Sequence, residues 1–192
     1  MELLRSECPW DREQSHGSIR NNFIEETYEV IEAIDNNDPA LLREELGDVL
    51  LQVIFHCRIS EEAGEFSVDE VIDDLCKKLI ERHPHIFSNV KVDNTNDVLK
   101  NWETIKQETK GRETVKEKLE GVSKALPALM RAAKIAKKSG MEIEDLNIPA
   151  DENSIGEALF KLAAYAEKHN ISAEQALFTK CERFVENFSE NL

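Results

Sequence analysis

Cations are in short supply in this chain: 24 Lys and Arg stand against 39 Asp and Glu, a formal net charge of −15. That deficit excludes a general binder of nucleic-acid polymers or anionic membranes, because phosphates would be repelled. An acidic protein acting on a polyphosphate needs bound cations to reverse its local field. Long apolar runs are missing too. None approaches the roughly 18 residues of a membrane-spanning helix. The segment from Met1 to Arg12 is charged and has no apolar h-region, so no signal peptide is expected either. The four cysteines, Cys8, Cys57, Cys76 and Cys181, are scattered. They show neither zinc spacing nor disulfide density, and a reducing cytoplasm is the expected setting. Period-2 alternation is absent, so no β-strand is expected.

What is there reads as helix. The 192 residues allow one large domain or two small ones. A first helix is expected over about 18–35. The turn residues Asn36-Asn37-Asp38-Pro39 follow, with Asp38 as cap and Pro39 in the first turn of a second helix that runs to about Glu62. Ser67 and Glu70 form a capping box for a third helix, with Val68, Val71, Ile72, Leu75 and Leu79 at helical spacing and a stop before Pro84. A fourth is expected over about 97–109, ended by Lys110-Gly111-Arg112. Residues 111–125 are charged and read as a linker. Beyond it come a helix over 126–139 stopped by Gly140, one opened by a Ser154/Glu157 capping box, and one opened by Ser172. The fold class is therefore all-α, an antiparallel helical bundle, with domains over 1–110 and 126–192.

Carboxylate pairs organise the first half. Glu26 and Glu29 are three apart on the first helix, as are Glu45 and Asp48 on the second. At 100° per residue, Glu25, Glu29 and Glu32 fall on one side of the first helix and Ile24, Tyr28, Ile31 and Ile34 mostly on the other, with Glu26 at the flank. Asp48 sits inside an almost wholly apolar run from Leu46 to Cys57, where an unpaired carboxylate is costly. Four hard oxygen donors on two facing helices suit Mg²⁺ or Mn²⁺. A solvated acidic face, with Asp48 as a helix cap, is the plain alternative. Lys78 and Arg82 share a face late in the third helix. His83 and His85, split by Pro84, read as structural, and Trp10 as a packing anchor. Trp102 and Lys106, four apart, are either core plus snorkelling lysine or a base-stacking platform plus a phosphate ligand.

The second half echoes the first. Gly47-Asp48-Val49-Leu50 is answered by Gly156-Glu157-Ala158-Leu159, and Phe66-Ser67 to Val71 by Ile171-Ser172 to Ala176. The chemistry is not repeated: Ser154 stands for Glu45, and Arg183 and Asn187 stand for Lys78 and Arg82. One competent site per chain is expected, with the C-terminal half serving packing or an oligomer interface.

Cys8-Pro9-Trp10-Asp11, Glu13-Gln14-Ser15-His16, Glu25-Glu26-Thr27-Tyr28-Glu29-Val30, Glu45-Leu46-Gly47-Asp48, Arg82-His83-Pro84-His85-Ile86-Phe87 and Trp102-Glu103 with Lys106 together resemble the MazG family of nucleoside triphosphate pyrophosphohydrolases. The likeness covers most of residues 8–110. The 126–132 segment also looks like the family's inter-repeat region, so the chain reads as a tandem repeat with a shortened second copy. The resemblance implies hydrolysis of a nucleoside triphosphate to monophosphate and pyrophosphate with Mg²⁺. It makes Glu26, Glu29, Glu45 and Asp48 metal ligands, with Glu25 orienting water or a second metal. Lys78, Arg82 and Lys106 become phosphate-binding cations and Trp102 a base or ribose contact. Glu25, Glu29, Lys78 and Arg82 are then the catalytic set. It further implies a homodimer or higher homo-oligomer. A helical module that binds a nucleotide or a protein without turnover is the competing class.

Overall fold

The structure, a computed structural model, describes residues 1–109, 111, 114–142 and 144–189. Among them every regular element is a helix: α1 (Glu2–Glu7), α2 (Pro9–Glu13), α3 (Arg20–Asp35), α4 (Pro39–Glu62), α5 (Val68–Arg82), α6 (Pro84–Phe87), α7 (Thr95–Thr109), α8 (Val115–Glu120), α9 (Ala128–Ser139), α10 (Glu152–Lys168) and α11 (Ala173–Glu186). The chain forms two compact units that divide between Lys91 and Val92. Lys110 and Arg112, expected to close the fourth helix, lie outside the described residues.

The first unit is built on the α3–α4 hairpin. Asn37 takes the left-handed conformation at φ 52°, which asparagine tolerates. The Asp38 amide donates to the Ala33 carbonyl at 3.0 Å, and the Asp38 carboxylate accepts from the Ala40 and Leu41 amides at 3.0 and 3.1 Å. The turn therefore satisfies the open end of α4 and leaves no slack between the helices. At the other end of α4, Arg5 clamps the N-terminal segment. Its guanidinium donates to Glu62 at 2.6 Å and to the Asp11 and Gln14 carbonyls at 2.5 and 2.9 Å. Trp10 stands edge-on to Phe55 but keeps 57% of its surface exposed, so it anchors only partly. The Ser67/Glu70 capping box of α5 is present in full.

The second unit has its core between α8, α9 and α11, where Leu119, Val122, Ile135, Cys181 and Val185 are buried. Part of the stretch expected as a linker thus belongs to this core. Val115, Leu119, Val122 and Leu126 recur at three- and four-residue steps, an apolar helical stripe hidden among charges. A Thr114/Glu117 capping box opens α8. The expected fourth helix, now α7, also falls in this unit, where Lys138 on α9 donates to Glu103 at 3.0 Å. The Ser154/Glu157 box does not form. Asp151 caps α10 instead, accepting from the Ser154 amide at 2.9 Å and the Ser154 hydroxyl at 2.8 Å, while Glu157 pairs with Lys161 at 2.6 Å. Aspartate outcompetes serine because its carboxylate can take both donors at once. The partner of the preceding helix also changes between the halves: α3 packs on α4, whereas α9 packs chiefly on α8 and α11.

Candidate metal centre

The α3–α4 hairpin brings acid onto acid. Carboxylate oxygens of Glu26, Glu29 and Glu45 lie within 4.8 Å of one another. Helix α3 meets α4 along Phe23, Glu26, Val30 and Ala33, a stripe one step round from the acidic side expected from periodicity, so Glu26 turns inward and Glu25 stays exposed. The apolar set on the other side, Ile24, Tyr28, Ile31 and Ile34, is exposed. On α4, Glu45 is buried and Asp48 half-buried.

The electrostatics are unrelieved. Burial first, then the charges of Asp48, Glu29 and Glu25, push the Glu26 carboxyl above its ordinary pKa. Burial, then Glu29, Asp48 and Glu44, do the same to Glu45. Asp48 therefore belongs to the same field although its oxygens fall outside the tightest group. Among the described residues no Lys or Arg pairs with any of the four. Converging carboxylates without a basic partner form a donor set that fits a hard divalent cation, as oxygen-rich sites do.

The other expected residues lie on α5 and α7. Lys78 lies exposed on α5, and Arg82, at its C-terminal end, is buried. Trp102 and Lys106 lie on α7 in the second unit, where the Lys106 ammonium sits 4.5 Å from the Trp102 ring centre and 3.3 Å from Glu103. Burial pushes the Glu103 carboxyl upward, but hydrogen bonds from Lys138, Gln107 and Lys106 outweigh it and hold the pKa at about 2. His83 donates through Nδ1 to the Leu79 carbonyl at 2.6 Å, the structural role its sequence context suggests.

Sequence reasoning missed a polar seam continuing from the acids. Asp48, Gln52, His56 and Ser60 follow at four-residue steps along α4. His16 stacks on His56 with ring planes 2° apart and Nδ1 atoms 2.7 Å apart, and its Nε2 lies 3.2 Å from the Ser60 hydroxyl. Burial, then His16, lowers the His56 pKa. The signal for the seam was the i, i+4 spacing of polar residues in an apolar run. Nothing local points to His16 as its partner, 40 positions away.

Residues 14–87 match the MazG nucleotide pyrophosphohydrolase domain. The chain is 36% identical to the nucleoside triphosphate pyrophosphohydrolase/pyrophosphatase MazG of Thermotoga maritima, over 99% of this chain and 82% of that protein. It is 36% identical to the nucleoside triphosphate pyrophosphohydrolase of Escherichia coli (strain K12), over 88% of this chain and 62% of that protein. It is 40% identical to the uncharacterized protein YabN of Bacillus subtilis (strain 168), over 95% of this chain. The chain belongs to the MazG family. It spans 42% of the length of YabN.

Proposed function

We propose that this chain hydrolyses a nucleoside triphosphate to the monophosphate and pyrophosphate, with water attacking the α-phosphorus. The observation that carries the reading is the convergence of Glu26, Glu29 and Glu45 within 4.8 Å, in the field of Asp48 and without a basic partner among the described residues. The names of the Thermotoga and Escherichia relatives support the same reaction. Glu26, Glu29, Glu45 and Asp48 would hold Mg²⁺, with Mn²⁺ as substitute. Bound there, such an ion polarises phosphoryl oxygens and lowers the pKa of its water. Glu25, exposed beside the cluster, orients water or takes its proton, a role open to a carboxylate with no metal of its own. Lys78 and Arg82, four apart on α5, are the cations for the polyphosphate, set against charge that develops as the bond breaks. Trp102 and Lys106 supply an aromatic face and a cation suited to a nucleotide.

A homodimer completes the reading. Ile24, Tyr28 and Ile31 on α3 and Val71, Ile72, Leu75 and Leu79 on α5 are all more than a third exposed, apolar surface that a second copy would cover. Among the described residues no helix is long and apolar enough to cross a membrane, which fits a cytoplasmic setting.

The test is product analysis on eight ribo- and deoxynucleoside triphosphates with Mg²⁺ and with EDTA. Monophosphate plus pyrophosphate, lost in EDTA, is the expected result. Release of single phosphates would mean that the scissile bond is a different one, and no turnover on any of the eight would overturn the general activity.

A further inference from the structure

The second unit carries a cavity of about 550 Å³ at the C-terminal end of α11, within the range of small-molecule sites. Its walls include Met141, Lys180, Arg183, Phe184, Asn187 and Phe188, and among the described residues no carboxylate lines it. In a chain with a net charge of −15 that is an outlier. Most cations with buried stems here are spoken for: Arg5, Arg58, Lys106, Arg131 and Lys138 all pair with glutamates. Lys180 and Arg183 form no ion pair with any described residue. The nearby Glu182 points the other way, to Lys124 and Arg131.

Cations late in a helix often serve its carbonyl end. Here two of the last carbonyls are already taken by groups of the chain. The Arg183 carbonyl accepts from the Asn187 amide at 3.1 Å and from Asn187 Nδ2 at 2.8 Å, and the Val185 carbonyl accepts from Phe188. The two charges are left for something else. Phe184 and Phe188 pack against the unit's core with ring centres 5.9 Å apart, which fixes them as apolar walls beside the cations. Arg183 and Asn187 also occupy the register positions that Lys78 and Arg82 hold in the first half.

We propose that this cavity is a second binding site, taking a nucleoside monophosphate, with the phosphate on Arg183 and Lys180 and the base against Phe184 and Phe188. A guanidinium fork one turn from an ammonium matches a phosphate dianion, and rigid aromatic faces accept any base. Asn187, its Nδ2 engaged, keeps Oδ1 as an acceptor for a base amino group or ribose hydroxyl.

The experiment is calorimetric titration of the full chain in EDTA with AMP, inorganic phosphate and adenosine. Without divalent metal and without turnover, the result is independent of the activity proposed above. AMP is expected to bind more tightly than either fragment. Arg183→Ala and Lys180→Ala should each weaken it roughly tenfold, the loss of one charge-assisted hydrogen bond. Asp48→Asn should leave it unchanged, and Arg183→Lys should restore part of the loss at unchanged helicity. Binding that survives Arg183→Ala but is lost in Asp48→Asn would overturn the proposal, as would no AMP binding by the unmodified chain. Phosphate binding as tightly as AMP would overturn the nucleotide assignment.

Discussion

Glu45 keeps only 9% of its surface exposed yet faces Glu29, Asp48 and Glu44, so its ionisation works against the fold. A carboxyl whose folded pKa is raised binds protons more readily folded than unfolded. In the metal-free protein the contribution of these two groups to stability is therefore fully present below the ordinary carboxylate range and is lost as pH rises through the raised pKa values of Glu26 and Glu45. Glu45→Gln should raise the melting temperature in EDTA at neutral pH. It should also cut turnover by more than the roughly 10–100-fold typical of losing an outer-shell partner of a metal. A melting scan beside a product assay reads both effects, and a variant less stable in EDTA than the parent would contradict the electrostatic account. Because Glu26 and Glu45 must be ionised to hold a cation, turnover should fail on the acid side above the ordinary Glu value of about 4.3, as a pH–rate profile would record. The acids themselves were legible in the sequence, since Glu26 with Glu29 and Glu45 with Asp48 announce themselves by spacing. Which face of α3 they share was not. Periodicity ranks faces by polarity, and the packed stripe here is neither the most polar nor the most apolar one.

Elements with a sharp chemical boundary matched their expectation closely. Asp38-Pro39, Ser67 with Glu70, and Gly140 at φ 64° each mark a helix end by a local hydrogen-bond or backbone requirement that one sequence displays in full. Helix α8 escaped notice because its apolar residues are spread thinly among charges, and their burial depends on α9 and α11, which arrive later in the chain. The α10 cap was displaced because two candidate oxygens, Asp151 and Ser154, lie one turn apart, and the Asp151 carboxylate takes both the amide and the hydroxyl of Ser154. Of these caps, Asp38 bears most on the acidic site. Asp38→Ala should cost about 1 kcal/mol of stability, the usual value of a lost helix cap, measurable as a lower urea midpoint with unchanged slope. The loss should be accompanied by weaker Mg²⁺ binding, because the same turn sets Glu29 against Glu45.

For the molecule as a whole, helix α5 is the telling element: of its fifteen residues only Arg82 is buried, although its apolar positions are spaced to cover a partner. Sedimentation or light scattering should report a dimer or larger assembly at micromolar concentration, and Leu75→Glu should shift the mass toward the monomer while helicity persists. A monomeric parent chain would remove that reading of α5. The linkage between the halves was the least legible feature. The sequence already showed that the echo lacks the acids, but not that α9 packs chiefly on α8 and α11 where α3 packs on α4.

The tight turn at Asn36–Asp38 also constrains how the chain length can vary. Surface connections between helices are ordinarily where insertions are tolerated. Here the Asn37 and Asp38 amides both bond back to α3 while the Asp38 side chain opens α4. One residue added between Pro39 and Glu45 turns every later position by about 100° about the helix axis, carrying Glu45 and Asp48 away from Glu26 and Glu29 together. Related sequences that keep the acids should therefore keep the spacing from cap to acid without gaps, and length drift should collect instead in stretches such as 144–150, where no helix must keep its phase.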